Sequence, residues 1–220
     1  MTPRELLGTA QVQDGAELRL YSHAGDFVIA LARTDLMSTR MRHSEEELAV
    51  QTLARLAMPA PHLLIGGYGM GFTLRAALAK MGPQARATVV ELVPEIIAWA
   101  RGPMAQVAAG CLDDPRVALV LDDVGDHIAA ARPVYDAILL DVDNGPESLV
   151  HQSNGWLYTA NGLAAARRAL RPGGLLAVWS AFADKPFTRR LKQAGFAVEE
   201  LAVRARLNNT GPRHTIWFAR

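Results

Sequence analysis

The chain has 220 residues, half of them hydrophobic, which suits one domain with a sizeable core. Its 23 Lys and Arg stand against 22 Asp and Glu, a net charge of +1; this gives no field for gripping a polyanion by counterion release and sets nucleic acid aside as the main partner. The single cysteine, Cys111, excludes an internal disulfide and lacks the spaced partners of a zinc site, and neither a leader nor a run of 18 apolar residues occurs. A soluble, cytoplasmic protein with no membrane partner and no metal is expected.

In chain order, residues 1–40 read as a β-hairpin appendage: Glu17 to Tyr21 alternates, Gly25-Asp26 turns, and Phe27 to Leu31 is a second run. Residues 41–220 read as the main domain. Ser44-Glu45-Glu46-Glu47 opens its first helix in the pattern of a capping box, with Ser44 as N-cap and Glu47 three residues on, and Pro59 and Pro61 end it. Acids in a first turn suit the helix dipole; the functional alternative aims His43 and Glu45 inward over a ligand. Leu63 to Ile65 is then a buried strand, Gly66 to Gly71 a glycine turn, and Phe72 to Lys80 a helix. Strand Ala87 to Leu92 and a helix opening at Val93-Pro94-Glu95 follow, with Pro in the favoured first turn. Arg116 to Leu121 and Tyr135 to Leu140 are two more strands, Gly162 to Leu170 a helix stopped by Arg171-Pro172-Gly173-Gly174, Leu175 to Trp179 a strand, and Lys185 to Gln193 a helix. Phe196 to Val203 and His214 to Phe218 close the chain as a hairpin. The fold class is α/β: a doubly wound, mostly parallel seven-stranded sheet of Rossmann-like type with a small N-terminal β appendage.

The glycine turn is the candidate ligand cradle, because Gly66, Gly67, Gly69 and Gly71 admit positive φ and close approach of a ligand. Counting from Gly67, the third glycine of a dinucleotide fingerprint is replaced by Phe72, so a nicotinamide ligand is disfavoured. Glu91 ends the next strand, where a carboxylate takes ribose hydroxyls. Leu92 follows it, Asp122-Asp123 stands at the next strand tip, and Asp141 at the one after. Ligands of open α/β sheets bind outside these carboxyl ends, so an acidic rim is expected to face a cation-bearing ligand. Asp122 and Asp141 also have a plainer reading as turn or cap acids.

Leu64-Ile65-Gly66-Gly67, Val90-Glu91-Leu92-Val93-Pro94-Glu95, Asp123, Tyr135 to Asp141, Gly145-Pro146-Glu147-Ser148-Leu149 and Leu157-Tyr158 together resemble the spermidine synthase-like (aminopropyltransferase) branch of the class I S-adenosylmethionine-dependent methyltransferase superfamily, over about Leu18 to Ala181. The resemblance implies that Glu91 binds the ribose, Asp123 accepts from the adenine amino group, Asp141 handles the amine nucleophile as the catalytic carboxylate, and Tyr158 sits near the acceptor.

Three departures bear on the reaction. The family's glycine box carries an aspartate where this chain has Gly69; its paired acceptor acids read Asp141-Val142-Asp143-Asn144 here, with Asn144 as the neutral member; and Ser44-Glu45-Glu46 stands where the family has Tyr-Gln-Glu. Burying the cations of a diamine and of decarboxylated S-adenosylmethionine without paired acids is costly. The expectation is therefore an S-adenosylmethionine-dependent methyl transfer to a small amine-containing acceptor, with His43, Glu45, Asn144 and Tyr158 around that acceptor. The alternatives are aminopropyl transfer from decarboxylated S-adenosylmethionine and a non-catalytic cofactor-binding protein. The oligomeric state stays open, a homodimer through the β appendage being one arrangement.

Overall fold

The computed structural model describes residues 3–12, 15–32, 34–142 and 154–220. Four strands, β1 (Glu5–Gln11), β2 (Glu17–His23), β3 (Asp26–Leu31) and β4 (Thr34–Ser38), form an antiparallel sheet in the order β1-β2-β3-β4. Sequence reading found only β2 and β3, whose Leu18, Leu20, Val28, Ile29 and Ala30 are buried. The outer strands are mostly exposed or half-buried and lack the alternation that marks a strand, so a hairpin was expected where a four-stranded sheet stands. The sheet docks on the main domain through β1, where a side chain on Gly8 would run into the indole of Trp99.

The main domain follows as α1 (His43–Leu56), β5 (His62–Gly66), α2 (Phe72–Lys80), β6 (Arg86–Glu91), α3 (Pro94–Arg101), the short α4 (Ala105–Ala108), β7 (Val117–Leu121), α5 (Val124–Ala130), β8 (Tyr135–Leu140), α6 (Ala160–Ala169), β9 (Leu170–Ser180), α7 (Lys185–Gln193), β10 (Val198–Arg204) and β11 (Arg213–Ala219), with single 3-10 turns at Cys111–Asp113 and Asn154–Tyr158. The sheet order is β10-β11-β9-β8-β5-β6-β7. Strands β5 to β9 run parallel, and β11 pairs antiparallel with both β9 and β10. This is the seven-stranded, doubly wound sheet expected from the alternation of strand and helix. All six residues of β8 are buried, which is what a central strand covered by helices on both faces requires. Its one charge, Asp136, accepts from the backbone N–H of His62 at 2.7 Å and from Arg171 Nη1 at 2.9 Å, so a buried carboxylate there is satisfied.

Helix α1 opens without the expected capping box. Its first helical residue is His43, and neither Ser44 nor any other side chain caps it. Ser44 is fully buried, its Oγ lying 2.7 Å from His214 Nδ1 and accepting from Trp179 Nε1 at 3.1 Å. Tertiary hydrogen bonds to β9 and β11 have claimed a side chain that local pattern assigned to the helix end.

Candidate functional site

Strands β5 and β8 are neighbours in the sheet, yet the chain leaves β5 towards α2 and β6 on one side and leaves β8 towards β9 on the other. Such a reversal opens a crevice beyond the carboxyl ends of the strands. Its floor is the glycine turn, where Gly67, Gly69 and Gly71 have φ of 85°, 56° and 79°, values that side-chain-bearing residues resist. At Gly67 a Cβ would fall on the carbonyl oxygen of Asp141, so β5 and the end of β8 close together only because no side chain intervenes. Gly66 accepts from the Asp141 N–H at 2.9 Å across the same junction.

Glu91 closes β6 and is buried. Its Oε2 accepts from the N–H of Tyr68 in the glycine turn at 2.8 Å, and its Oε1 from the N–H of Val93 at 2.9 Å. Burial raises its pKa, while hydrogen bonds from the backbone of Val93, Tyr68, Gly69 and Leu92 work the other way. Asp123 is the N-cap of α5, with Oδ1 accepting from Gly125 N at 2.6 Å, so its expected ligand role coexists with a capping role. Asp122 is exposed and accepts from the N–H of Asp123 at 2.9 Å.

Asp141, just past β8, has burial pushing its pKa up to about 6, opposed by Thr73. The Thr73 hydroxyl lies 2.6 Å from Asp141 Oδ2 and 3.2 Å from the main-chain oxygen of Glu45. Glu45, in the first turn of α1, is raised well above the ordinary carboxyl range by burial first, then by the charges of Asp141 and Glu46. Two carboxyl groups 96 positions apart in sequence thus face each other at the junction of α1, α2 and β8. Glu46 is partly neutralised by Arg42, 3.0 Å away.

The cleft leaves about 800 Å³ between its walls, part of it open to solvent. Gly67, Gly69, Glu91, Leu92, Asp122, Asp123 and Asp141 line it. The opposite wall, which sequence reasoning missed, is the small N-terminal sheet: Val12, Leu18, Ile29, Leu36 and Met37. No local pattern announces that wall, because which face of a sheet meets another domain is a tertiary fact. Met37 comes closest to the turn: a Cβ on Gly69 would stand 3.1 Å from its Sδ.

Three expected acceptor residues, His43, Glu45 and Tyr158, are not among the described residues of this lining. His43 instead faces a separate surface hollow with Glu46, Glu47 and Arg75. Helical positions two apart point about 200° from one another, so His43 and Glu45 could not both turn inward. Tyr158 is buried in the core layer on the α5, α6 and α7 side, edge-on to Phe187 with ring centroids 5.5 Å apart; its aromatic bulk completes that layer. Asn144 lies outside the described residues, as does the Gly145 to Leu149 segment. Gly66 and Gly71 support the turn from below: a Cβ on Gly66 would meet Val124 Cγ2 at 2.8 Å, and one on Gly71 the Tyr68 hydroxyl at 2.6 Å.

Comparison with known proteins agrees with this geometry. The spermine/spermidine synthase domain matches residues 45–191. Among curated relatives, the polyamine aminopropyltransferase of Korarchaeum cryptofilum is 28% identical over 176 residues, covering 80% of this chain and 51% of its own length. Polyamine aminopropyltransferase 2 of Pseudomonas aeruginosa is 34% identical over 156 residues, covering 65% of this chain and 42% of its own. The chain therefore spans about half the length of the curated relatives it matches. In fold it is similar to the spermidine synthase of Thermotoga maritima, with a TM-score of 0.76 at 21% identity over 97% of this chain and 72% of that one. A spermidine synthase bound to the transition-state analogue AdoDATO gives 0.75 at 20% identity, over 97% and 71%. The matched stretch holds Glu45, the glycine turn, Glu91, Asp123 and Asp141, and the chain belongs to the spermine/spermidine synthase domain family.

Proposed function

We propose that this chain transfers an aminopropyl group from decarboxylated S-adenosylmethionine to a small amine. The observation that carries the reading is the charge of the cleft. Glu91, Asp122, Asp123 and Asp141 line it, Glu45 stands behind Asp141, and no Lys or Arg lines it among the described residues. Carboxyls gathered in one cleft without cationic partners are costly to ionise together, and a ligand that brings cations relieves that cost. Decarboxylated S-adenosylmethionine carries a sulfonium and an ammonium with no carboxylate to be repelled, and a polyamine acceptor carries more positive charge still. The relatives named as polyamine aminopropyltransferases support the same choice over methyl transfer.

In this reading Glu91 takes the ribose hydroxyls, and Asp123 takes the adenine amino group while capping α5. The acceptor amine meets Asp141. An ammonium is no nucleophile, so it must lose a proton before it attacks, and a carboxyl with pKa of about 6 is better matched to that task than an ordinary aspartate. The amine nitrogen attacks the propyl carbon beside sulfur, the C–N bond forms as the C–S bond breaks, and the electron pair leaves on sulfur as a neutral thioether. The enzyme's main work is to hold nitrogen and carbon in line at roughly 3 to 3.5 Å.

One observation favours a second reading, methyl transfer from intact S-adenosylmethionine: Gly69, not an aspartate, meets the Met37 thioether at the turn, so no acid from that position faces the donor's tail. Calorimetric titration with the two donors, with mass spectrometry of products from a polyamine panel, separates them. Tighter binding of the decarboxylated donor and a product heavier by one aminopropyl group support the proposal; tighter binding of S-adenosylmethionine with methylated product overturns it. Asp141→Asn is expected to keep donor affinity and lose turnover, and wild-type turnover in that variant removes Asp141 as catalyst.

A further inference from the structure

Thr73 is the second residue of α2, immediately behind the glycine turn, and is buried. Its hydroxyl has one proton and two candidate acceptors, Asp141 Oδ2 at 2.6 Å and the Glu45 carbonyl at 3.2 Å. The shorter contact is in the range of an O–H···O⁻ hydrogen bond, so the proton is given to the carboxylate. A β-branched side chain at the start of a helix has few rotamers to choose from, which makes this a stiff donor. Neither glycine spacing nor the acidic strand tips pointed to it.

We infer that Thr73 is a positioning residue for the transfer: it holds the Asp141 carboxylate by one oxygen and leaves the other for the amine. The inference rests on the proposed role of Asp141. The groups that bear on Asp141 are Glu45 from α1, with Glu46 and its partner Arg42 behind it, and Glu91, Asp122 and Asp123 in the same cleft. All but Arg42 are acids, none of them able to pair with an ionised Asp141, and burial is the largest cause that disfavours its ionisation. Thr73 is the described group that favours it. Without that hydrogen bond the carboxyl both swings and holds its proton to higher pH, and a protonated Asp141 cannot take the proton of an incoming ammonium.

The test compares Thr73→Val, which keeps shape and removes the hydroxyl, with Thr73→Ser, which restores it. The Asp141 carboxyl is followed by carbon NMR of aspartate-labelled protein, its signal assigned by its loss in Asp141→Asn. In Thr73→Val the titration of Asp141 is expected to move up by about one pH unit, and the acid limb of kcat with it. At pH 5, on that acid limb, kcat falls about tenfold while donor KM stays within about twofold, and Thr73→Ser stays near wild type in all three. An unmoved Asp141 titration in Thr73→Val overturns the inference, as does a Thr73→Ser variant as impaired as Thr73→Val; a purely structural role lowers stability without moving the titration. Because the NMR arm needs no turnover, a failure of the aminopropyl reading shows separately, as a shifted titration in a chain that alkylates no amine.

Discussion

Replacing the proposed catalytic carboxylate should make this protein more stable, and by an amount that depends on pH. Asp141 moves from an ordinary 3.8 to about 6 on folding, with burial as the largest cause. The folded state therefore binds this proton more tightly than the unfolded state, and stability falls as pH rises. The contribution is fully present below about pH 4, decays through the interval up to about pH 6, and is gone above it. At about 1.4 kcal/mol per pH unit, ionised Asp141 costs the fold about 3 kcal/mol at pH 8. Asn at this position is uncharged at every pH, is close in volume, and offers an amide oxygen to the Thr73 hydroxyl. Urea denaturation of wild type and Asp141→Asn from pH 4 to pH 8 measures the difference directly. The variant's advantage is expected to grow across the acid half of that range and level off above about pH 7, appearing in thermal melts as a gain of roughly 5–10 °C. Using the difference between the two chains cancels groups that titrate in both, such as Asp114, held down to about 2 by Arg116. A difference that does not vary with pH, or a variant uniformly less stable, refutes the claim that Asp141 is ionised at an energetic cost.

Two further substitutions test the frame of the cleft. Gly67→Ala puts a Cβ on the Asp141 carbonyl at φ 85° and should lose about 3 kcal/mol or more in urea, whereas Gly25→Ala, with the same φ but nothing within 4 Å, should lose only about 1 to 2 kcal/mol; equal losses would show that the close approach at Gly67 carries no weight. Ser44→Ala leaves the buried Trp179 N–H and His214 Nδ1 without their shared partner and should cost about 2 to 4 kcal/mol in the same assay, a loss under about 0.5 kcal/mol arguing that water or a shifted ring replaces it.

Long, strongly patterned elements were legible from sequence to the residue: Phe72–Lys80, Tyr135–Leu140 and Lys185–Gln193 are as expected. Misreadings occur where distant contacts overrule local pattern. Ser44 looked like a cap and is a core hydrogen-bonding residue. Arg171-Pro172-Gly173-Gly174 does follow the end of α6 at Ala169, but the strand expected from Leu175 already begins at Leu170, beside Tyr135, and includes this segment. The strand-tip acids Glu91, Asp123 and Asp141 were found because a parallel sheet places its carboxyl ends on one rim whatever the details. Thr73 and the apolar wall from Val12 to Met37 were not, because each owes its place to a partner far along the chain. His43 failed on helical geometry that the sequence did contain.

The same distinction bears on the proposed choice of donor. The resemblance points to an aspartate in the family's glycine box, and its replacement by Gly69 made methyl transfer the first expectation. In three dimensions that position is occupied from the other side: Met37 on β4 reaches the space an aspartate side chain would need, so an acid could enter only by displacing it. Carboxyl groups are nevertheless present, Glu45 from the helix before the turn and Asp141 from the strand beside it. Coulomb attraction depends on where charge sits and how little water screens it, not on which stretch of chain delivers it. An acid on α1 beside Asp141 thus stands near a glycine turn that itself carries none. In the proposed reaction the donor meets the combined field of Asp141, Glu91 and the carboxyl groups around them, and a motif comparison confined to the turn reads the loss alone.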